Sequence, residues 1–443
     1  MQTTTRRALG PFETVRELTF DAPFPHLLRV RQHFDAPVER DPVAATRREL
    51  EPLRDRIRPG MSVAVTAGSR GISDIATAVR TVGDWLREAG AEPFVVPAMG
   101  SHGGATPEGQ IGVLASLGIT EETMGMPIRS SMETVELAGV PDGPKVHLDG
   151  NAAGADGIVL VNRVKPHTDF DADVESGLAK LTAIGLGKQR GAETIHAYGA
   201  VGLGRWVPRV AQRIVREANV LGGVAILENA FEQTARIAFV PPEDVGGDGE
   251  AELLAEARGL MGRLPFDELD VLVVDEMGKD KSGAGLDTNV INRLMIRDTP
   301  EPQGPPHIRN IVALDLTDAS HGNAAGIGLP EFITFRLLEK IDLRATYINS
   351  ATAGICGVQR AQIPMALPTD RDAIAAALLM SGRPDPENAR LVRIQSTLDT
   401  ADLLVSSSLR EEVDQSPVLD VTAEAGPMRF DDAGTLAGWG VPA

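Results

Sequence analysis

SVAVTAGSRGISDIATAVRTVGDWLREAG, residues 62–90, runs from a short apolar segment through a Gly-containing turn into a helical repeat. MSVAVTA (61–67) reads as a buried strand and GSRG (68–71) as a tight turn. Ile75, Val79, Val82 and Leu86 then recur at helical spacing until Gly90 closes the helix. A strand that feeds directly into an amphipathic helix sets the pattern for the rest of the chain.

Outward from this stretch the same order repeats. PFVVPAM (93–99) leads into GSHGGATPEGQIGVLASLG (100–118), where Thr106, Pro107 and Glu108 supply an N-cap and first turn. GIVLVNRV (157–164), GGVAILEN (222–229), DVLVVDEM (270–277), IRNIVALDL (308–316) and ATYINS (345–350) are further strand candidates. Apolar strands alternating with helices predict an α/β protein with mainly parallel sheets flanked by helices. Ligands in such sheets sit at the carboxyl ends of the strands, and Arg70, His102 and His167 all follow such ends. A Pro/Gly/acidic stretch at 240–266 marks the expected junction between a cofactor-binding domain, 1–266, and a smaller α/β domain, 267–443. The site is expected in the interdomain cleft. PTDRDAIAAALLMSG (368–382) reads as a capped helix of the second domain, and the last 35 residues are free to pack back on the first.

With 443 residues, the chain exceeds the size at which one core keeps growing, so two domains are the default. A net charge of −19, with no basic run to offset it, argues against nucleic acid and anionic membranes as partners. The single cysteine, Cys356, excludes an intramolecular disulfide and an all-cysteine metal site; it reads as a small buried hydrophobe. No signal-peptide h-region and no run of transmembrane length is present, so a cytoplasmic location is the expectation.

Only eight histidines occur, and three of them sit with a lysine in short Gly-rich segments: GSHGGATPE (100–108), VKPHTDF (164–170), ESGLAKL (175–181) and GAETIHAYG (191–199). Isolated histidines are ordinary core or surface residues; several in Gly-rich loops around a lysine point to metal or proton chemistry. Glycines leave little local mass to bury His102, which favours an exposed imidazole. GSRGIS (68–73) is either a plain turn or a presentation of Arg70, whose fork suits a carboxylate or phosphate. Ser176, Gly177, Lys180 and Lys188 lie in a Gly-rich segment suited to cradling a phosphate through backbone N–H groups, although it lacks P-loop spacing. His196, preceded by Thr194, makes sense as a sole protein metal ligand only if a cofactor supplies the other donors. DEMGKDKSGAGLDTNVINR (275–293) adds Lys279, Lys281, Asn289 and Arg293 as candidate substrate contacts, with a solvated loop the competing account. His321, in DLTDASHGNAAGIGLP (315–330), reads as part of a Gly-rich turn.

These segments, in this order and with 16 residues from Lys180 to His196, resemble the nickel-pincer lactate racemase family, which isomerises 2-hydroxy acids. The resemblance implies a racemase or epimerase acting by hydride transfer to and from a lysine-tethered nickel-pincer nucleotide. It implies Lys180 as the covalent tether, His196 as the nickel ligand, His102 and His167 as the acid/base pair and Arg70 on the substrate carboxylate. Ser176, Gly177, Lys188 and Thr194 would line the cofactor. The expected partner is a small 2-hydroxy acid, with no nucleic acid or membrane, and a homodimer is compatible with this reading.

The chain departs from the family pattern between His167 and Lys180. TDFDADVESGLAK puts Thr168 where an aromatic is usual and Leu178 at the second glycine, and adds about three residues carrying Asp169, Asp171, Asp173 and Glu175. Such a run repels a carboxylate unless it faces solvent or binds a cation. Two other readings stay open: a hydro-lyase or redox enzyme using another metal on the same scaffold, and a non-catalytic protein that binds a small anion.

Overall fold

The computed structural model describes residues 10–69 and 71–439, so Arg70 lies outside the described residues. Two compact units divide the chain: Asp35–Met261, and the chain on either side of it, through Phe34 and from Gly262 onward. The first strand, β1 (His26–Gln32), belongs to the second of these.

The unit Asp35–Met261 is built on strands β2 (Ser62–Ala67), β3 (Glu92–Pro97), β6 (Gly157–Arg163), β7 (Val220–Glu228) and β8 (Thr234–Val240). A separate antiparallel pair, β4 (Thr134–Leu137) and β5 (Val146–Asp149), lies between β3 and β6 in the chain. The sheet order is β3-β2-β6-β7-β8; the first four strands are parallel and β8 is antiparallel. Helix Ile75–Glu88 buries Ile75, Val79, Val82 and Leu86, the residues whose spacing predicts it. Together with Trp85 they cover Val63, Val65, Val159, Val161 and Ile226 of the sheet. Each such side chain removed from water contributes about 1.5–3 kcal/mol. Helix Pro107–Ser116 starts as its sequence predicts, with Thr106 accepting from the Gly109 N–H and Pro107 in the first turn.

The other unit is an eight-stranded sheet. Its strands are β1, β9 (Glu268–Met277), β10 (His307–Leu316), β11 (Phe332–Thr334), β12 (Met365–Leu367), β13 (Leu391–Ile394), β14 (Asp402–Ser406) and β15 (Leu419–Pro427). They are ordered β12-β11-β10-β9-β13-β14-β1-β15, parallel from β12 to β13 and antiparallel from there to β15. Strand β9 is buried on both faces: Leu272 and Val274 join one core, and Val271 and Val273 pack with Ile374 and Leu378 of helix Asp370–Leu379 in another. Double burial is why its sequence is an unbroken apolar run rather than an alternating one.

Two expectations are corrected here. Residues 26–32, placed by sequence order in a first domain of 1–266, pair with β14 and β15 at the other end of the chain. ATYINS is a helix, Leu343–Thr352: Asp342 caps it by accepting from the Ala345 N–H, and it buries Thr346 and Ser350, one turn apart. Position within the chain's hydrogen-bonding partners overrode the β-branched composition. Among the described residues, no helix is long and apolar enough to cross a membrane.

Candidate active site

Because β3, β2, β6 and β7 are parallel, the loops after all four open on one edge of the sheet. Ser69, just after β2, hydrogen-bonds through Oγ to His102 Nδ1 at 2.5 Å, joining the loops that follow β2 and β3. His102 is exposed, as its glycine neighbours predict. Gly103 has φ +67°, and a Cβ there would stand 2.5 Å from the Gly109 carbonyl carbon, so the turn that presents His102 requires glycine. Behind it, buried Gln110 donates to the Gly100 carbonyl at 2.9 Å.

The loop after β6 carries His167, and its ring is nearly enclosed. The ring stacks on Phe170 with centroids 4.6 Å apart. Its Nδ1 accepts from the Asp169 backbone N–H at 3.0 Å, and its Nε2 meets Lys180 Nζ. The loop is closed by Lys165 N–H donating to the Ser176 carbonyl at 2.9 Å.

Lys180 ends a single helical turn, Leu178–Lys180, that continues as a π-helical turn, Leu181–Gly185. Buried Glu250 caps this segment: Ala179 N–H donates to its two oxygens at 3.0 and 3.1 Å, and Gly246 N–H donates at 2.8 Å. Burial pushes the Glu250 carboxyl above the usual carboxylate range, against those backbone donors. A Cβ on Gly177 would collide with Glu250 Oε1. Gly177 is therefore explained by the approach of this carboxylate, whereas the sequence reading assigned it to a phosphate cradle.

The acidic run between His167 and Lys180 is resolved by a cation from the same unit. Glu175 is 2% exposed. It accepts from His167 N–H at 2.5 Å and from Ala172 N–H at 2.9 Å. Arg258 pairs with Glu175 and, at 2.7 Å, with Asp171. Burial still outweighs these favourable partners and pushes the Glu175 carboxyl up to about 7. Arg258 and Glu250 both lie on helix Asp248–Leu260, so one helix grips the His167 loop and the Lys180 turn.

His196 is the last residue of helix Lys188–His196. Burial lowers its pKa, as does the charge Lys180 carries when protonated, while Asp169 acts in the opposite sense. The result favours the neutral imidazole, the form that ligates metals. His167 thus contacts Lys180 and the Asp169 backbone, and His196 is near enough to feel the charges of Lys180 and Asp169. His102 stands on the same sheet edge, with β2 between its strand and that of His167, an offset of about 10 Å at two strand spacings.

Other assignments are corrected by the structure. Lys188 is fully buried, and its ammonium meets the Pro97 carbonyl at 2.6 Å, Gln110 Oε1 at 3.0 Å and Asp149 Oδ2 at 3.1 Å. Two hydrogen bonds and a buried ion pair with Asp149 hold it away from solvent, so it is an internal cation rather than a phosphate ligand. The Thr194 hydroxyl is turned to the Lys145 and Gly191 carbonyls at 3.2 and 2.9 Å. In the other unit, Arg293 spends its guanidinium on the Leu329 and Ile308 carbonyls and on Glu331, at 3.0, 2.6 and 2.6 Å, which removes it from the substrate contacts. Lys279, Lys281 and Asn289 share the segment after β9; Lys279 Nζ donates to the Gly283 carbonyl, Lys281 lies 4.0 Å from Asp280, and Asn289 Nδ2 donates to Asp287 at 3.0 Å. His321 is exposed at the end of a short turn, in left-handed backbone. Among the described residues, no group of three or more His, Cys, Asp or Glu is arranged to hold a metal ion.

Sequence reasoning missed Ser69, Glu175 as an organiser, Glu250 and Arg258. Ser69 lies within GSRGIS, beside Arg70, and a serine in a Gly-containing turn carries no pattern that points to His102. Glu250 and Arg258 fall in the polar helix read as part of a junction, and no local pattern links them to Lys180 or Glu175.

No family model matches the chain, and no curated protein matches its sequence. Among solved structures, the chain is similar to the lactate racemase apoprotein from Thermoanaerobacterium thermosaccharolyticum: 12% identity over 83% of this chain and 94% of that one, with a TM-score of 0.51. It is also similar to a protein from Thermotoga maritima, at 14% identity over 62% of this chain and 72% of that one, with a TM-score of 0.42. The first likeness defines the architecture: an α/β protein with a lactate racemase-like fold.

Proposed function

We propose that the protein is a racemase or epimerase of a 2-hydroxy acid that works with a lysine-tethered nickel-pincer nucleotide. The observation that supports this most is the contact of His167 with Lys180 after β6, on the sheet edge that also carries the His102 loop, with His196 near enough for the charge of Lys180 to act on it. The residues present fit the cofactor: Lys180 offers an amine for the tether, and His196 offers an imidazole that burial keeps neutral. When bound, the group would supply the hydride acceptor and donor, chemistry no side chain provides.

The protein's own part is proton transfer and orientation. Ser69 engages His102 Nδ1, and in the cofactor-free chain the Asp169 N–H engages His167 Nδ1 while His167 Nε2 meets Lys180 Nζ. Two bases on either side of β2 suit a racemase, because the enantiomers carry their hydroxyl groups to opposite sides. Arg70 is proposed to hold the substrate carboxylate in a bidentate pair.

The test is co-expression with the cofactor-making enzymes, followed by intact mass and metal analysis. A mononucleotide-sized adduct that is absent from Lys180→Ala, with stoichiometric nickel that is absent from His196→Ala, is the expected result. His102→Ala should keep both adduct and metal and lose racemisation. An unmodified, nickel-free wild-type chain, under conditions that load a known lactate racemase, refutes the reading.

A further inference from the structure

The contacts of the His167 ring point to one arrangement of protons at Lys180. The Asp169 backbone N–H can only donate, and it lies 3.0 Å from His167 Nδ1, so that nitrogen presents its lone pair. A neutral imidazole has one N–H, which is then on Nε2, the atom that meets Lys180 Nζ. An ammonium has three hydrogens and no lone pair. Facing Nε2–H, it would set donor against donor, whereas an uncharged amine accepts.

We propose that the Nε2–H of His167 holds Lys180 as an uncharged, nucleophilic amine, and that Arg258, acting through Glu175, is the positioning residue that fixes the His167 ring for this task. Glu175 takes the His167 and Ala172 N–H groups, and Arg258 compensates its buried charge and ties down Asp171. Glu250, on the same helix, accepts from the Ala179 N–H and anchors the turn that ends at Lys180, so both ends of the contact are referred to one rigid element. The titratable groups around Lys180 are His167 and Asp169 from the loop after β6 and His196 from helix Lys188–His196, with Glu175 behind His167 and Glu250 at the start of the Lys180 turn. Arg70, in the loop after β2, lies outside the described residues.

An uncharged amine here takes an activated acyl group, such as an acyl phosphate, acyl adenylate or thioester. Nζ attacks the carbonyl carbon, the N–C bond forms, the bond to the leaving group breaks, and the amine proton departs with the leaving group to leave an amide. This extends the racemase reading by explaining how Lys180 becomes competent for tethering, yet its test needs no cofactor.

The chain has only seven lysines, which makes competitive acetylation direct. Exposed Lys145 is the internal reference, and fully buried Lys188 is the unreactive control. The cofactor-free full chain is labelled with trace N-acetoxysuccinimide from pH 6 to 9 and mapped by peptide mass spectrometry. An ordinary lysine, with pKa about 10.4, has roughly one amine in 2,500 uncharged at pH 7, and its rate climbs about tenfold per pH unit. Lys180 is expected to react at least about tenfold faster than Lys145 at pH 7, with a profile that is nearly flat above that pH. Arg258→Met should return Lys180 to the steep profile and Arg258→Lys should restore part of the flatness, while Lys145 is unchanged in both. If Arg258→Met does not fold, His167→Phe, which keeps the stacking on Phe170 and removes the N–H, must give the steep profile. A wild-type Lys180 no faster than Lys145 and equally steep overturns the proposal; a flat profile unchanged in Arg258→Met overturns the role of Arg258. A flat profile in a chain that never loads nickel would sink the racemase reading and leave this inference standing.

Discussion

Replacing Lys188 by Met removes an ammonium that is fully buried beside an equally buried carboxylate, Asp149, 3.1 Å away. Asp149 Oδ1 accepts from the Ala152 N–H at 2.9 Å, but Oδ2 receives no hydrogen bond in suitable geometry, so Lys188 is its electrostatic compensation. Burial already pushes the Asp149 carboxyl up and the Lys188 ammonium down, and their mutual attraction opposes both shifts. Losing one partner of a buried pair costs about 3–5 kcal/mol. The variant's alternative is to fold with Asp149 protonated, which against an unfolded pKa near 3.9 costs about 4 kcal/mol at pH 7 and about 1.5 kcal/mol at pH 5. Freed of Lys188, Asp149 has a folded pKa above its unfolded value, so its contribution is intact in acid and is lost as pH rises toward the folded pKa. The deficit of Lys188→Met relative to wild type should therefore shrink on acidification. Urea unfolding, followed by Trp85 and Trp206 in a Trp439→Phe background, reads the unit that contains the pair. Adding Asp149→Asn, which keeps the Oδ1 acceptor and removes the charge, should recover most of the loss. A deficit below about 1 kcal/mol, or one that is flat with pH and additive in the double variant, refutes the reasoning. A phosphate-binding Lys188 predicts the reverse: unchanged unfolding and a lost cofactor adduct.

Glu175, with its carboxyl pushed up to about 7 by burial, should cost the wild type about 3 kcal/mol as pH rises from about 4.5 to about 7. Stability is fully present below its unfolded pKa and is lost through the folded one, and Glu175→Gln should flatten that limb in pH-dependent urea unfolding. Gly177→Ala should drive the Glu250 carboxylate off the Ala179 N–H, destabilising the protein by about 1–3 kcal/mol through an unmade buried hydrogen bond. It should also slow Lys180 acetylation; an Ala variant with wild-type melting and labelling would remove Glu250 from the account.

Helix 75–88 and strands β2, β3, β6, β7, β9 and β10 are legible in the sequence because each is a long run with one period or none, and burial follows that period directly. His102, His167, Lys180 and His196 are legible because rare residue types fall among glycines. What escapes reading is pairing across sequence. Glu250 caps a turn 71 residues earlier in the chain, and Arg258 reaches back 83 residues to Glu175; neither contact has a local pattern. Lys188 misleads for a related reason: its glycine neighbours look like a phosphate cradle, but its left-handed backbone, φ +53°, aims the side chain inward. Strand β1, HLLRVRQ, mixes buried and exposed positions without strict alternation, since it is flanked by antiparallel partners drawn from the far end of the chain.

That placement of β1 governs the order of events during synthesis. The strand emerges before every other described strand, yet its neighbours in the sheet are β14 and β15, the last two of them to emerge. The segment Asp35–Met261 carries every strand of its own sheet and can fold as it is translated, at about 5–20 residues per second. The eight-stranded sheet is complete only once residues 402–427 have emerged, so until then β1 lacks both of its neighbours in the sheet. Nascent-chain proteolysis should find Asp35–Met261 protected before residues 26–32.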